Sequence, residues 1–118
     1  MAGATHYRWD DIPSRELAPG ISRRFLTASR MTIARFRLAR GAVVPPHSHD
    51  HEQVSYVLSG ALSFHCAGET TVVRAGEALQ IPSWAEHSVE VIEDAEVLDV
   101  FSPVRQDWID GTDTYFKR

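Results

Sequence analysis

Residues 41–60 read GAVVPPHSHDHEQVSYVLSG, and this stretch decides the fold. Pro45-Pro46 forbids a helix from entering it, and the β-branched and aromatic side chains between Gln53 and Leu58 mark a strand. In an extended chain successive side chains point to opposite faces. His47 and His49, two residues apart, therefore project to one face, and Gln53 joins them if the phase continues. Three nitrogen or oxygen donors then converge.

Working outward, residues 76–87 read GEALQIPSWAEH: an apolar strand is stopped by Pro82, and His87 follows as a candidate fourth donor. Neutral imidazole suits zinc, copper, iron and nickel, and three imidazoles with one oxygen donor leave room for water or substrate. Spacing alone leaves a plainer arrangement open, with His47, His49 and His51 in a solvated loop beside Asp50 and Glu52, and His87 satisfying a turn. His51 shares the strand parity of His49, so spacing does not exclude it as a ligand. His6 and His65 have no donor pattern around them and read as surface or ordinary strand histidines.

The rest of the chain carries the same strand signature. Thr32–Leu38, Thr70–Arg74 and Glu96–Phe101 are short segments rich in β-branched and aromatic residues, separated by seven glycines and six prolines spread along the sequence. Only Ser14–Leu17 and Pro103–Asp110 could hold a helical turn or two. Short strands at this spacing predict an all-β antiparallel sandwich or barrel. With no repeat, linker or low-complexity tract in 118 residues, residues 1–118 read as a single domain with one core.

Composition narrows the function. Apolar residues make up 43% and charged residues 24%, which is ordinary globular usage. A net charge of −4 with no basic run excludes the electrostatic footprint of a nucleic-acid binder. No apolar stretch approaches the ~20 residues that span a bilayer, and residues 1–10 lack the pattern of a signal peptide, so a cytoplasmic location without membrane attachment is expected. The single cysteine, Cys66, shares strand parity with Leu62 and Phe64 and reads as a core residue; it removes cysteine-based metal clusters from consideration.

The two stretches together resemble the cupin superfamily. Its first motif is Gly, five residues, His-x-His, three or four residues, Glu, six residues, Gly; Gly41, His47, His49 and Gly60 fall in register, with Gln53 in place of the glutamate. Its second, Gly, five residues, Pro-x-Gly, two residues, His, is met by Gly76, Pro82 and His87, with Trp84 where the motif has glycine and Val91 where asparagine is usual. The resemblance covers core motifs at 41–60 and 76–91. It implies a double-stranded β-helix, or jelly-roll barrel, holding one divalent metal ion (nickel, zinc, manganese or iron) on His47, His49, Gln53 and His87. His51 falls outside that register. An amide oxygen in place of a carboxylate leaves the metal's charge at +2, which favours Lewis-acid work and anion capture.

The C-terminal strand and tail, residues 95–118, contain the third informative segment, EVLDVFSPVRQDW at 96–108. Asp99 and Phe101 share a face with Val97, where the carboxylate would be partly desolvated and suited to carrying a proton; the alternative is that Asp99 points to solvent. Arg105 offers a planar fork for a substrate carboxylate, or pairs with Asp107 in a turn. The run from Asp99 to Asp107 is similar to the C-terminal strand of KdgF-type cupins, the pectin-degradation proteins. That resemblance implies linearisation of 4,5-unsaturated uronate monosaccharides to a 5-keto sugar acid, with Asp99, Phe101 and Arg105 catalytic. A metal-dependent lyase or dioxygenase on another small molecule, and a non-catalytic sugar-binding cupin, are the competing expectations. Val54, Tyr56 and Leu58 alternate with Gln53 and need an apolar cover, either a strand around Tyr7–Ile12 or the partner in a homodimer. Trp84 could wall the pocket mouth or lie exposed, and Arg35 and Arg37 could line the pocket.

Overall fold

Two long neighbouring strands organise the chain in a computed structural model that describes residues 3–113. After a 3-10 turn at Trp9–Asp11 come β1 (Arg15–Ala18), β2 (Ile21–Thr27), β3 (Thr32–Leu38), β4 (Val43–His47), β5 (Glu52–Cys66), β6 (Glu69–Arg74), β7 (Ala78–Ile81), β8 (His87–Ser102) and a short helix α1 (Gln106–Asp110). β5 and β8 pair antiparallel from Glu52↔Ser102 to Cys66↔His87. Each changes its other partner midway. The first half of β5 pairs with β7 and the second with β6, whereas β8 pairs with β4 at its start and β3 at its end. The order β1-β2-β3-β8-β5-β6 thus splits into two leaves joined through one strand pair, a jelly roll.

The bend that separates the leaves is built at Gly60. Register shifts interrupt the β5–β8 ladder between Val57 and Leu62, and Gly60 has φ +82° with the Asp94 carbonyl so close that a Cβ would lie 2.1 Å from it. Only glycine fits both the left-handed backbone and that approach. Between the leaves the inward positions, Ile21, Leu38, Val57, Leu62, Phe64, Ile81, Val91 and Val97 among them, form the main core. Cys66 packs against it, as its parity predicts. Ala34, Phe101 and Trp108 make a second cluster at one end of the barrel.

Three local expectations change. Ser14–Leu17 contributes to strand β1 instead of a helical turn, because Gly20 at φ +77° folds it back to pair with β2. Around Tyr7–Ile12 there is no strand; the 3-10 turn is tied by Arg24 donating to the Trp9 carbonyl, and Val54, Tyr56 and Leu58 stay exposed at 40%, 41% and 37%. The strands read as Gln53–Leu58 and Glu96–Phe101 are parts of strands of 15 and 16 residues. Among the described residues, no helix is long and apolar enough to cross a membrane.

Candidate metal centre

Four different parts of the chain bring the donors together. His47 ends β4, His49 lies in the loop that follows, Gln53 is the second residue of β5, and His87 opens β8 directly opposite His47. The expectation of a continuous strand through His49 is corrected: the chain leaves extended pairing after His47, and His49 reaches the cluster from a loop anchored by the Trp84 N–H donating to its carbonyl at 2.8 Å. One ring nitrogen from each of His47, His49 and His87 falls within 4.8 Å of the others. The rings stand at steep angles, His47 and His87 with centroids 4.2 Å apart and His49 and His87 5.0 Å apart.

Backbone carbonyls set the tautomer of all three rings. His47 Nδ1 meets the Pro45 oxygen at 2.8 Å, His49 Nδ1 the His51 oxygen at 3.0 Å, and His87 Nδ1 the Ala85 oxygen at 2.9 Å. A carbonyl can only accept, so each Nδ1 carries the hydrogen and each Nε2 presents a lone pair. Burial lowers all three pKa values, to about 4 for His47 and His49; the Arg105 charge adds to the effect at all three and neighbouring rings add to it at His47 and His49, while the backbone hydrogen bonds oppose it. The imidazoles are neutral at physiological pH. His87 Nε2 is buried with no hydrogen-bond partner among the described residues. His49 Nε2 faces Gln53 Oε1 at 3.1 Å, two acceptors turned toward each other. Buried acceptors so arranged suit a cation, and three neutral imidazoles with an amide oxygen form a site that fits a divalent first-row metal.

His51 is turned out of this cluster. Its Nε2 donates to the Val104 carbonyl at 3.1 Å, the opposite tautomer from the other three. His65 bonds Thr70 on the barrel exterior, and His6 is exposed.

Asp99, Phe101 and Arg105 line the same cavity as His47, Gln53 and His87, a space of about 50 Å³ with room for an ion and a few waters. Asp99 sits opposite Ser55 across the β5–β8 pair. Burial pushes its carboxyl up to about 6, against the opposing pull of a Ser55 hydrogen bond and the Arg105 charge, and its Oδ1 is buried with no partner among the described residues. Arg105 is 1% exposed. Its Nε and Nη2 donate to the two Asp107 oxygens at 2.9 and 2.6 Å, and its guanidinium lies 4.7 Å from the Phe101 ring centre and 4.2 Å from that of Trp108. Arg105 thus pairs with Asp107, as one reading of the sequence has it, but from a buried position that also lines the cavity. Burial acts to raise the Asp107 carboxyl, but the Arg105 bonds and charge outweigh it and hold the group below the usual carboxylate range.

Other candidates stand apart. Trp84 is 65% exposed and does not line this cavity, and its φ of +66° reproduces the backbone that a glycine would adopt there. Arg35 and Arg37 pair with Glu96 on the outer face of the sheet and line a separate groove with Arg24. Sequence reasoning missed Trp108, whose ring packs 5.0 Å from Phe101, and Ser55. The signals were present: Trp108 follows Arg105 by three residues at a helix start, and Ser55 shares the parity of Gln53.

Comparison with known proteins agrees with this geometry. The Cupin domain family matches residues 34–101, more than half of the chain. A pectin degradation protein KdgF from Dickeya dadantii is 35% identical over 103 residues, covering 85% of this chain and 94% of that protein. An uncharacterized protein from Streptomyces coelicolor is 30% identical over 99 residues. Among solved structures, KdgF from Halomonas sp. superposes with a TM-score of 0.83 at 31% identity, covering 88% of this chain and 99% of that one. A RmlC-like cupin from Shewanella frigidimarina gives 0.82 at 25% identity, covering 89% and 96%.

Proposed function

This chain belongs to the cupin family, and on that premise we propose that it is a metal-dependent enzyme that opens 4,5-unsaturated uronate monosaccharides, released from pectin or alginate, to the linear 5-keto-4-deoxyuronate. The observation that carries the reading is a single cavity lined by metal donors, a proton-carrying carboxyl and a buried arginine, in a chain similar over most of its length to KdgF proteins. The unsaturated ring is an enol ether closed through a hemiacetal. Opening it requires deprotonation at the anomeric hydroxyl, stabilisation of the released enolate, and protonation at carbon four.

Each demand has a residue. A divalent ion on His47, His49, Gln53 and His87 supplies Lewis-acid polarisation of substrate oxygens. Asp99 is the proton carrier: with its carboxyl near 6 it exchanges a proton close to neutral pH, and the bare Oδ1 is the atom that holds it. Arg105 attracts the substrate carboxylate, its plane fixed by Asp107 on one edge and by Phe101 and Trp108 on its faces. Phe101 packs the ring and keeps water from the enolate.

The enzyme acts in the cytoplasm in this reading, on a sugar acid, and as a homodimer. The dimer is supported by an uncovered apolar strip on the outer sheet face, where Ile33, Val100 and Val54 lie side by side across three strands, and Leu98 and Tyr56 across two. Sedimentation should give twice the chain mass, and Tyr56→Glu should return it to one; a monomer at micromolar concentration removes the dimer. The test of function is incubation of metal-loaded protein with unsaturated galacturonate and unsaturated mannuronate while the ultraviolet absorbance of the conjugated enoate is followed. Loss of absorbance on at least one supports the reading. No turnover on either overturns it, and melting shifts without turnover would indicate a sugar-binding module instead.

A further inference from the structure

Gln53 differs from a carboxylate ligand in having only one end that can bind a cation. Rotated by half a turn about its last bond, the amide would present N–H donors to the metal and ligate nothing. Something in the protein must set its orientation. Ser55, two residues further along β5 and fully buried at 0% exposure, is the group in place to do so. Gln53 Nε2 donates to Ser55 Oγ at 2.9 Å, which leaves Oε1 as the end 3.1 Å from His49 Nε2. Ser55 also lies opposite Asp99 across the β5–β8 pair.

The direction of the Gln53–Ser55 bond follows from the number of hydrogens available. A serine hydroxyl has one, an amide nitrogen two and an amide oxygen none, so the Gln53 nitrogen donates and the Ser55 oxygen accepts. We propose that Ser55 is a positioning residue that fixes the Gln53 amide with its oxygen toward the metal. Ser55 acts through Gln53 and does not itself line the cavity. The inference rests on the four-donor reading of the metal site, and it gives that site a requirement that a glutamate ligand would not have: a carboxylate has two equivalent oxygens and needs no orienting partner.

Cobalt(II) binding to chelator-stripped protein tests it without any substrate, by competition with a chromophoric chelator and by the visible ligand-field spectrum, with circular dichroism confirming the fold. Ser55→Ala should weaken cobalt binding about 10–100-fold and change the spectrum, the usual effect of removing a partner that orients a ligand. In a Gln53→Glu background the same Ser55→Ala change should cost less than about 3-fold. Equal losses in both backgrounds would mean that Ser55 only fills space, and no loss in the Gln53 background would mean that it orients nothing; either result overturns the proposal. If Ser55→Ala misfolds, Ser55→Cys, close in shape but a poor acceptor, takes its place in both backgrounds. Failure of the underlying site is separately visible: wild-type protein that binds no cobalt, or His87→Ala that binds it as well as wild type, removes the four-donor reading and the inference with it.

Discussion

Replacing Asp99 with asparagine keeps the side chain's shape and its acceptor toward Ser55 while removing a charge that the cavity disfavours. Burial raises the Asp99 carboxyl from 3.8 to about 6. A group whose folded pKa is raised contributes stability below its unfolded pKa and loses it as pH rises through the folded value. Two pKa units correspond to about 3 kcal/mol at 1.36 kcal/mol each. The stability of Asp99→Asn relative to wild type should therefore increase with pH in metal-free protein, by about 1.5 kcal/mol at pH 5 and about 3 kcal/mol above pH 7. The histidines titrate identically in both proteins and cancel in the comparison. For a chain of this length the larger figure corresponds to about 10–15 °C in melting temperature. Denaturant or thermal unfolding of chelator-treated protein from pH 5 to 8 reads the difference directly, and turnover of the metal-loaded variant should fall by roughly 10²-fold or more. A stability difference that stays flat over that range, or turnover equal to wild type, would refute the assignment of Asp99 as a buried proton carrier.

Other expectations bear on individual residues. Elemental analysis of reconstituted protein should find one divalent ion per chain in wild type, His51→Ala and His65→Ala, and none in His47→Ala or His87→Ala; full metal content in His87→Ala would remove the site. Because burial holds His47 and His49 near pKa 4, protons should compete for the metal only below about pH 5, so a binding curve that fails near 6.5 contradicts the neutral cluster. Arg105→Ala should raise the Michaelis constant and, by leaving Asp107 without its partner, destabilise the fold by about 2–3 kcal/mol in urea titrations; an unchanged Michaelis constant dismisses the clamp. Trp84→Gly should stabilise the protein by about 1 kcal/mol, since the exposed ring gains little from packing while its left-handed backbone is strained; a less stable variant would show that Trp84 is held by contacts that outweigh the strain.

Much of this was legible in the sequence, for physical reasons that differ from residue to residue. Period-2 patterning placed Thr32–Leu38 at its observed bounds, because one face of that strand is core and the other carries arginines. The same patterning cut β5 short, since Gly60 reads as a breaker while in the fold it lets a continuous strand bend around Asp94. The candidate donors His47, His49, Gln53 and His87 come from motif register, but the way they are brought together does not: His49 comes from a loop, and a backbone hydrogen bond from Trp84 holds it there. Ser55 escaped notice because its parity with Gln53 marks only a shared strand face, and the bond between the two side chains shows only in the fold. Arg105 was ambiguous for a similar reason, since pairing with Asp107 and lining a cavity look like alternatives in one dimension and coexist in three.

The central claim, that turnover depends on one metal held by three histidines and Gln53, is tested most directly by titrating chelator-stripped protein with a divalent metal while following loss of enoate absorbance. The rate should start near zero, rise in proportion to added metal and level off at one equivalent per chain, with His87→Ala flat throughout. Stripped protein that turns over as fast as loaded protein, or His87→Ala that responds as wild type does, would contradict it.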